Sequence, residues 1–179
     1  IVAYKKVIEL RPEYAETYTT IGSAFIALGQ NEKAIPNFNK AVILNPDNAR
    51  AYNNLANVLH WVGSTRRALK CFRIAEKIAP HSSDIYYNQG VAFYDAKKYK
   101  AAAESYIKAL ILNPGSLDVY SNLGDAKFGT GDEEEFRRFF SISLCVNPEK
   151  KYVKHRLLEC LYISKKYQTL QEQVLEFAH

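Results

Sequence analysis

The chain has 179 residues, with 24 basic against 19 acidic side chains for a net charge of +5, and it is 47% hydrophobic and 13% aromatic. So much apolar and aromatic content excludes a disordered chain, and the charges that interrupt every apolar stretch exclude a bilayer-spanning one. Its three cysteines are isolated and never in Cys-x-x-Cys spacing, which argues against a disulfide framework or a zinc site.

In chain order, residues 1–14 read as the second helix of a unit whose first helix is missing, so the chain reads as part of a longer protein. Four full units follow. In residues 15–48 the first apolar set is Tyr18, Ile21, Gly22 and Phe25, a turn falls at Gly29, the second set is Ala34, Phe38 and Ala41, and Pro46 closes the unit. Residues 49–82 repeat this with Tyr52, Leu55, Ala56 and Leu59, then Gly63, then Ala68, Phe72 and Ala75, then Pro80. Residues 83–116 carry Tyr86, Gln89, Gly90 and Phe93, then Ala102, Tyr106 and Ala109, then Pro114.

The unit at residues 117–150 keeps Tyr120, Leu123, Gly124, Gly131, Phe140 and Pro148. It departs at Lys127, Phe136 and Ser143, which replace an aromatic and two alanines. Residues 151–179 match only partly, with Lys154 and Leu158 off pattern, and read as a degenerate unit or a C-terminal cap.

Pro12, Pro46, Pro80, Pro114 and Pro148 stand 34 residues apart throughout. A fixed period of this size marks an architecture of stacked modules, each burying its apolar face on a neighbour. Within each unit the apolar residues recur at i, i+3, i+4 and i+7, the spacing of one helix face, so each unit is two helices. Glycine suits the turn between them because it tolerates positive φ, and proline ends the second helix because it lacks an amide hydrogen. Pro36 is expected in the first turn of its helix, and Asp132 is expected to cap the helix that Glu133, Glu134 and Glu135 open.

A 34-residue helix–turn–helix with this order of aromatic, small and proline positions resembles the tetratricopeptide repeat. The resemblance covers nearly the whole chain and implies an all-α fold, a right-handed superhelical solenoid of antiparallel helix pairs. It also implies that the first helices line a concave groove.

At the place where that groove would lie, Asn54, Asn88 and Asn122 keep the 34-residue period, with Thr20 in the first unit. An asparagine amide both donates and accepts, so a row of them can hold an extended peptide backbone whatever its sequence. The row is similar to the asparagine ladder of the peptide-recognition array of the O-linked N-acetylglucosamine transferases. Asn53, Asn57, Trp61, Tyr87, Tyr94 and Asp125 are expected beside it, as aromatic anchors and selectors of side chains. The rival readings are a solvated polar face, asparagines that tie neighbouring helices, and a Trp61 ring packed on Tyr94. The Lys and Arg of a carboxylate-binding array are missing at the matching positions.

Charge is uneven. The unit at 49–82 holds Arg50, Arg66, Arg67, Lys70, Arg73 and Lys77 against Glu76 alone, whereas 117–150 sums to −3. A basic face of this kind is either solvated or meets an acidic partner or nucleic acid. No catalytic constellation, phosphate loop or metal-ligand spacing is present, so neither an enzyme nor a cofactor is expected. The expectation is a cytoplasmic scaffold or adaptor that binds an extended protein segment, with self-association left open. The alternatives are the substrate-recognition region of a larger enzyme, such as a glycosyltransferase, and nucleic-acid binding through the basic unit. Cys71, Cys145 and Cys160 are expected to be buried or half-buried packing residues.

Overall fold

The computed structural model describes residues 12–146. All regular structure among these is helical: α1 (Ala15–Ala27), α2 (Asn31–Leu44), α3 (Ala49–Trp61), α4 (Thr65–Ile78), α5 (Ser83–Asp95), α6 (Tyr99–Leu112), α7 (Leu117–Gly129) and α8 (Glu133–Val146). First helices begin at 15, 49, 83 and 117 and second helices at 31, 65, 99 and 133, so both series step by 34. The helix expected in residues 1–14 and the unit at 151–179 lie outside the described residues, save for residues 12–14.

The chain forms two compact units, Ile1–Pro114 and Gly115–His179. The first holds α1 to α6 as three helix pairs, with α2 packed on α3 and α4 on α5. In the second, α7 packs on α8.

Each pair of the first unit closes around one large second-helix ring. Phe38, Phe72 and Tyr106 are buried on their second helices, each flanked by two fully or almost fully buried alanines. The ring lies over a small residue of the first helix, and a Cβ added at Gly90 would stand 2.5 Å from the Tyr106 ring, closer than atoms can pack. Close approach of the two backbones therefore depends on the missing side chain.

In two of the repeats a hydrogen bond links the tyrosine to the proline six residues before it. The Tyr18 hydroxyl donates to the Pro12 carbonyl at 3.1 Å, and Tyr86 does the same to Pro80 at 3.1 Å. The hydroxyl satisfies a carbonyl that no helix amide can reach, just before the first helix begins.

Glycine supplies the left-handed turn residue at Gly29 (φ 69°), Gly63 (φ 80°) and Gly131 (φ 84°), as expected from the sequence. The α5–α6 turn has the same conformation at Lys97 (φ 57°), where a side chain meets the steric cost that glycine avoids. Asp132 caps α8, accepting from the Glu135 amide at 3.2 Å.

Pro36 differs from expectation. It lies inside α2, beyond the first turn, and so removes the bond to the Glu32 carbonyl. Glu32 is exposed, so water can take the place of that donor. Cys71 is half-buried, and burial pushes its thiol up against the opposing influence of Arg67. Cys145 is exposed rather than buried, because it falls on the outward face of α8. Cys160 lies outside the described residues.

Gln89, which interrupts an otherwise apolar period, is buried among polar partners. The Ser105 hydroxyl donates to its Oε1 at 3.2 Å, and its Nε2 donates to Glu76 Oε2 at 3.4 Å. Lys108 Nζ meets Glu76 Oε1 at 3.1 Å and sits 5.1 Å from the centre of the Tyr86 ring. Burial pushes the Tyr86 phenol up, and the negative charge of Glu76 adds to it. Three helices, α4, α5 and α6, thus share one polar network, in which no member is left without a bond.

Candidate peptide-binding face

The candidate residues of the first unit sit on α3 and α5. Asn53, Asn54, Asn57 and Trp61 follow one another at i, i+1, i+4 and i+8, so they share a face of α3. Tyr87, Asn88 and Tyr94 occupy the matching face of α5. In the second unit, Asn122 and Asp125 are on α7.

Each asparagine of the first unit's row reaches back to the preceding first helix. Asn54 Nδ2 donates to Ser23 Oγ at 3.4 Å, and Asn88 Nδ2 donates to Asn53 Oδ1 at 3.2 Å. Each bond uses one amide hydrogen and leaves the asparagine's own carbonyl and second N–H to other partners. Asn53, expected only as a selector of side chains, therefore also orients Asn88.

More cross-helix bonds run along the same seam. Asn48 caps α3 by accepting from the Ala51 amide at 2.9 Å, and its Nδ2 lies 3.5 Å from Thr19 Oγ1 on α1. Arg50 pairs with Glu16, and His60 Nε2 lies 2.8 Å from Asp95 Oδ2. The pairs Asn54–Ser23, Asn88–Asn53, Arg50–Glu16 and His60–Asp95 are separated by 31, 35, 34 and 35 residues. A search for polar residues one period apart, give or take about three positions, would have included them; the ladder of like residues alone did not, because it pairs each position only with itself.

The aromatic residues divide. Tyr94 packs edge-on against Tyr99 of α6 at 5.4 Å between ring centres, and Tyr87 lies 6.2 Å from Tyr106, so both are tied into their own helix pair. Trp61, at the end of α3, remains 55% exposed. Asn122 is half-buried, and Asp125 is buried at 6% exposure.

Among the described residues no group of three or more His, Cys, Asp or Glu side chains is placed to hold a metal ion, and no helix is long and apolar enough to cross a membrane.

A family model described as a TPR repeat matches residues 22–63, and one described as a tetratricopeptide repeat matches residues 83–116. The chain carries tetratricopeptide repeats. Among solved structures, a crystal structure of MamA is 27% identical and superposes with a TM-score of 0.77, over 84% of this chain and 88% of MamA. PilF of Pseudomonas aeruginosa is 24% identical with a TM-score of 0.77, over 90% of this chain and 74% of its own. A thermophilic TPR protein of Thermus thermophilus is 18% identical with a TM-score of 0.70, over 89% of this chain and 87% of its own. The last two show the shared fold. No curated protein matches the sequence.

Within the repeats, the candidate residues fall on the first helices, and the most completely buried rings, Phe38, Phe72, Tyr106, Phe136 and Phe140, fall on the second.

Proposed function

We propose that the chain is a non-enzymatic adaptor that binds an extended segment of a protein partner along the face of its first helices. Tetratricopeptide repeats generally mediate protein–protein interactions. What supports the finer reading is the state of Asn54 and Asn88. One amide hydrogen of each is committed to the preceding helix, which holds the rest of the amide in one orientation before a peptide arrives.

Such amides would meet a peptide's N–H and C=O groups, as in the asparagine ladder of the O-linked N-acetylglucosamine transferases. Trp61 would supply an apolar anchor, and Asn53, Asn57, Tyr87 and Tyr94 would choose among side chains. In the second unit, taken by itself, the half-buried Asn122 of α7 is assigned amide capture.

Peptides selected from a displayed random library against the wild-type chain provide the test. Trp61→Ala should weaken the selected peptides about 30-fold, the effect of losing an aromatic hot spot worth about 2 kcal/mol. Because Trp61 is largely exposed, its loss should move stability by less than about 0.5 kcal/mol. Asn54→Ala with Asn88→Ala should cost about 1–2 kcal/mol in a denaturant melt, since two inter-helix bonds go. It should also reduce peptide binding at temperatures where the variant is fully folded. Unchanged binding in both variants would mean that the asparagines serve only to join helices.

A further inference from the structure

A second surface is lined by α4 and a turn and by none of the asparagines, and its chemistry is different. The first turns of α4 and the turn between α5 and α6 enclose an open cleft of about 430 Å³. Arg66, Lys70 and Arg73 form one wall, Lys98 stands on the other, and Leu69 and Ala96 contribute apolar surface.

All four cations are exposed, and none belongs to an ion pair among the described residues. No carboxylate lines the cleft. The nearest acids in sequence are engaged elsewhere: Asp95 with His60, and Glu76 with Lys108 and Gln89. Four uncompensated positive charges around a partly apolar cleft raise the local potential and favour an anionic occupant.

We propose that this cleft is a docking site for an acidic protein segment that alternates carboxylates with apolar side chains. Arg66, Lys70 and Arg73 recur at i, i+4 and i+7, with Leu69 at i+3, which makes one stripe roughly 10 Å long at 1.5 Å per residue. An extended segment rising about 3.3 Å per residue covers that stripe with about three residues. Carboxylates on one side of such a segment meet the arginine forks, and an apolar residue between them meets Leu69 and Ala96.

Nucleic acid fits less well. Sequence-tolerant binding of single strands uses aromatic side chains as stacking platforms, and none lines this cleft.

The test uses a fluorescein-labelled peptide of alternating glutamate and leucine, a glutamate-only peptide and an oligouridine, each titrated into the full chain across salt concentrations. The alternating peptide should bind most tightly. Arg66→Glu with Arg73→Glu should weaken it at least about tenfold, because like charges then face each other. Ala96→Glu, a change at an exposed position on the opposite wall, should weaken it in the same direction, while Trp61→Ala should leave it unchanged. Thermal melts like those of the wild type would show that the charge variants remain folded. The proposal is overturned if oligouridine binds more tightly than the alternating peptide, if the glutamate-only peptide binds equally well, or if both charge variants bind like the wild type.

Discussion

The α5–α6 pair and the α7–α8 pair share one design, a buried second-helix ring over a first-helix glycine, and differ in where their further large side chains sit. In α5–α6 the aromatic before the turn is Phe93, which is half-buried, and a buried position early on the second helix is Ala102. In α7–α8 the first position is Lys127 and the second is Phe136, 34 residues on in each case. Phe136 is 1% exposed and stacks 4.5 Å from Phe140 and 5.3 Å from Phe128. Lys127 is itself largely covered, with its side chain 23% exposed, and its Nζ lies 3.7 Å from Asp132 Oδ2.

Taken one position at a time, Lys127 and Phe136 are departures from the repeat. Together they move the larger side chain from a half-buried position of the first helix to a fully buried one of the second. A core is constrained by volume and shape more tightly than by which helix contributes them.

The largest expected break in this comparison is Phe136→Ala, which removes that buried ring. It should cost about 3–5 kcal/mol in a urea melt, whereas Ala is the ordinary residue at the matching position of α6. A cost under about 1 kcal/mol would mean that Phe136 fills no necessary volume.

The reciprocal change comes next. Ala102→Phe should overpack the α5–α6 pair by about 1–3 kcal/mol. Adding Phe93→Lys should recover part of that loss, and a double-mutant cycle would measure the coupling. Strict additivity would show that the two positions do not exchange volume.

Smaller effects should appear at Ser143 and Lys97. Ser143 stands where α6 has Ala109; its hydroxyl is buried and has no hydrogen-bond partner among the described residues. Ser143→Ala should stabilise the chain by about 1 kcal/mol, by removing an unsatisfied polar group. Lys97→Gly should give the α5–α6 turn the residue that Gly131 gives the other pair. Relief of the left-handed strain, less the added freedom of the unfolded chain, predicts a gain of about 0.5 kcal/mol in the same melt.

The helix pairs were legible in the sequence because each depends on local, repeated features. A ring at Phe38, Phe72 or Tyr106, a small residue opposite, and a glycine or proline at each chain reversal announce the same unit every 34 residues. Pro36 was misplaced because a first-turn proline and an interior one differ only by where the helix starts, and helix starts are weakly marked in sequence. The basic cleft was visible only as charge. Its walls come from α4 and from a turn about 30 residues later, and composition cannot tell whether the charges on them are already paired.

The candidate face was half legible. Period and residue type picked out Asn54 and Asn88, but not that each would spend an amide hydrogen on Ser23 or Asn53. Nor did they separate Trp61, left exposed, from Tyr94, tied to Tyr99.

By itself the sequence determined the period, the two-helix unit, the buried rings and the face on which polar residues gather. These follow from backbone propensity and from the spacing of apolar residues within one helix or one turn. Only the tertiary structure decided which polar groups meet across neighbouring helices, which charges remain unpaired, and that Phe136 is fully buried beside Phe128 and Phe140. Those outcomes depend on distances between residues about one repeat apart, and such distances are set by how whole helices pack.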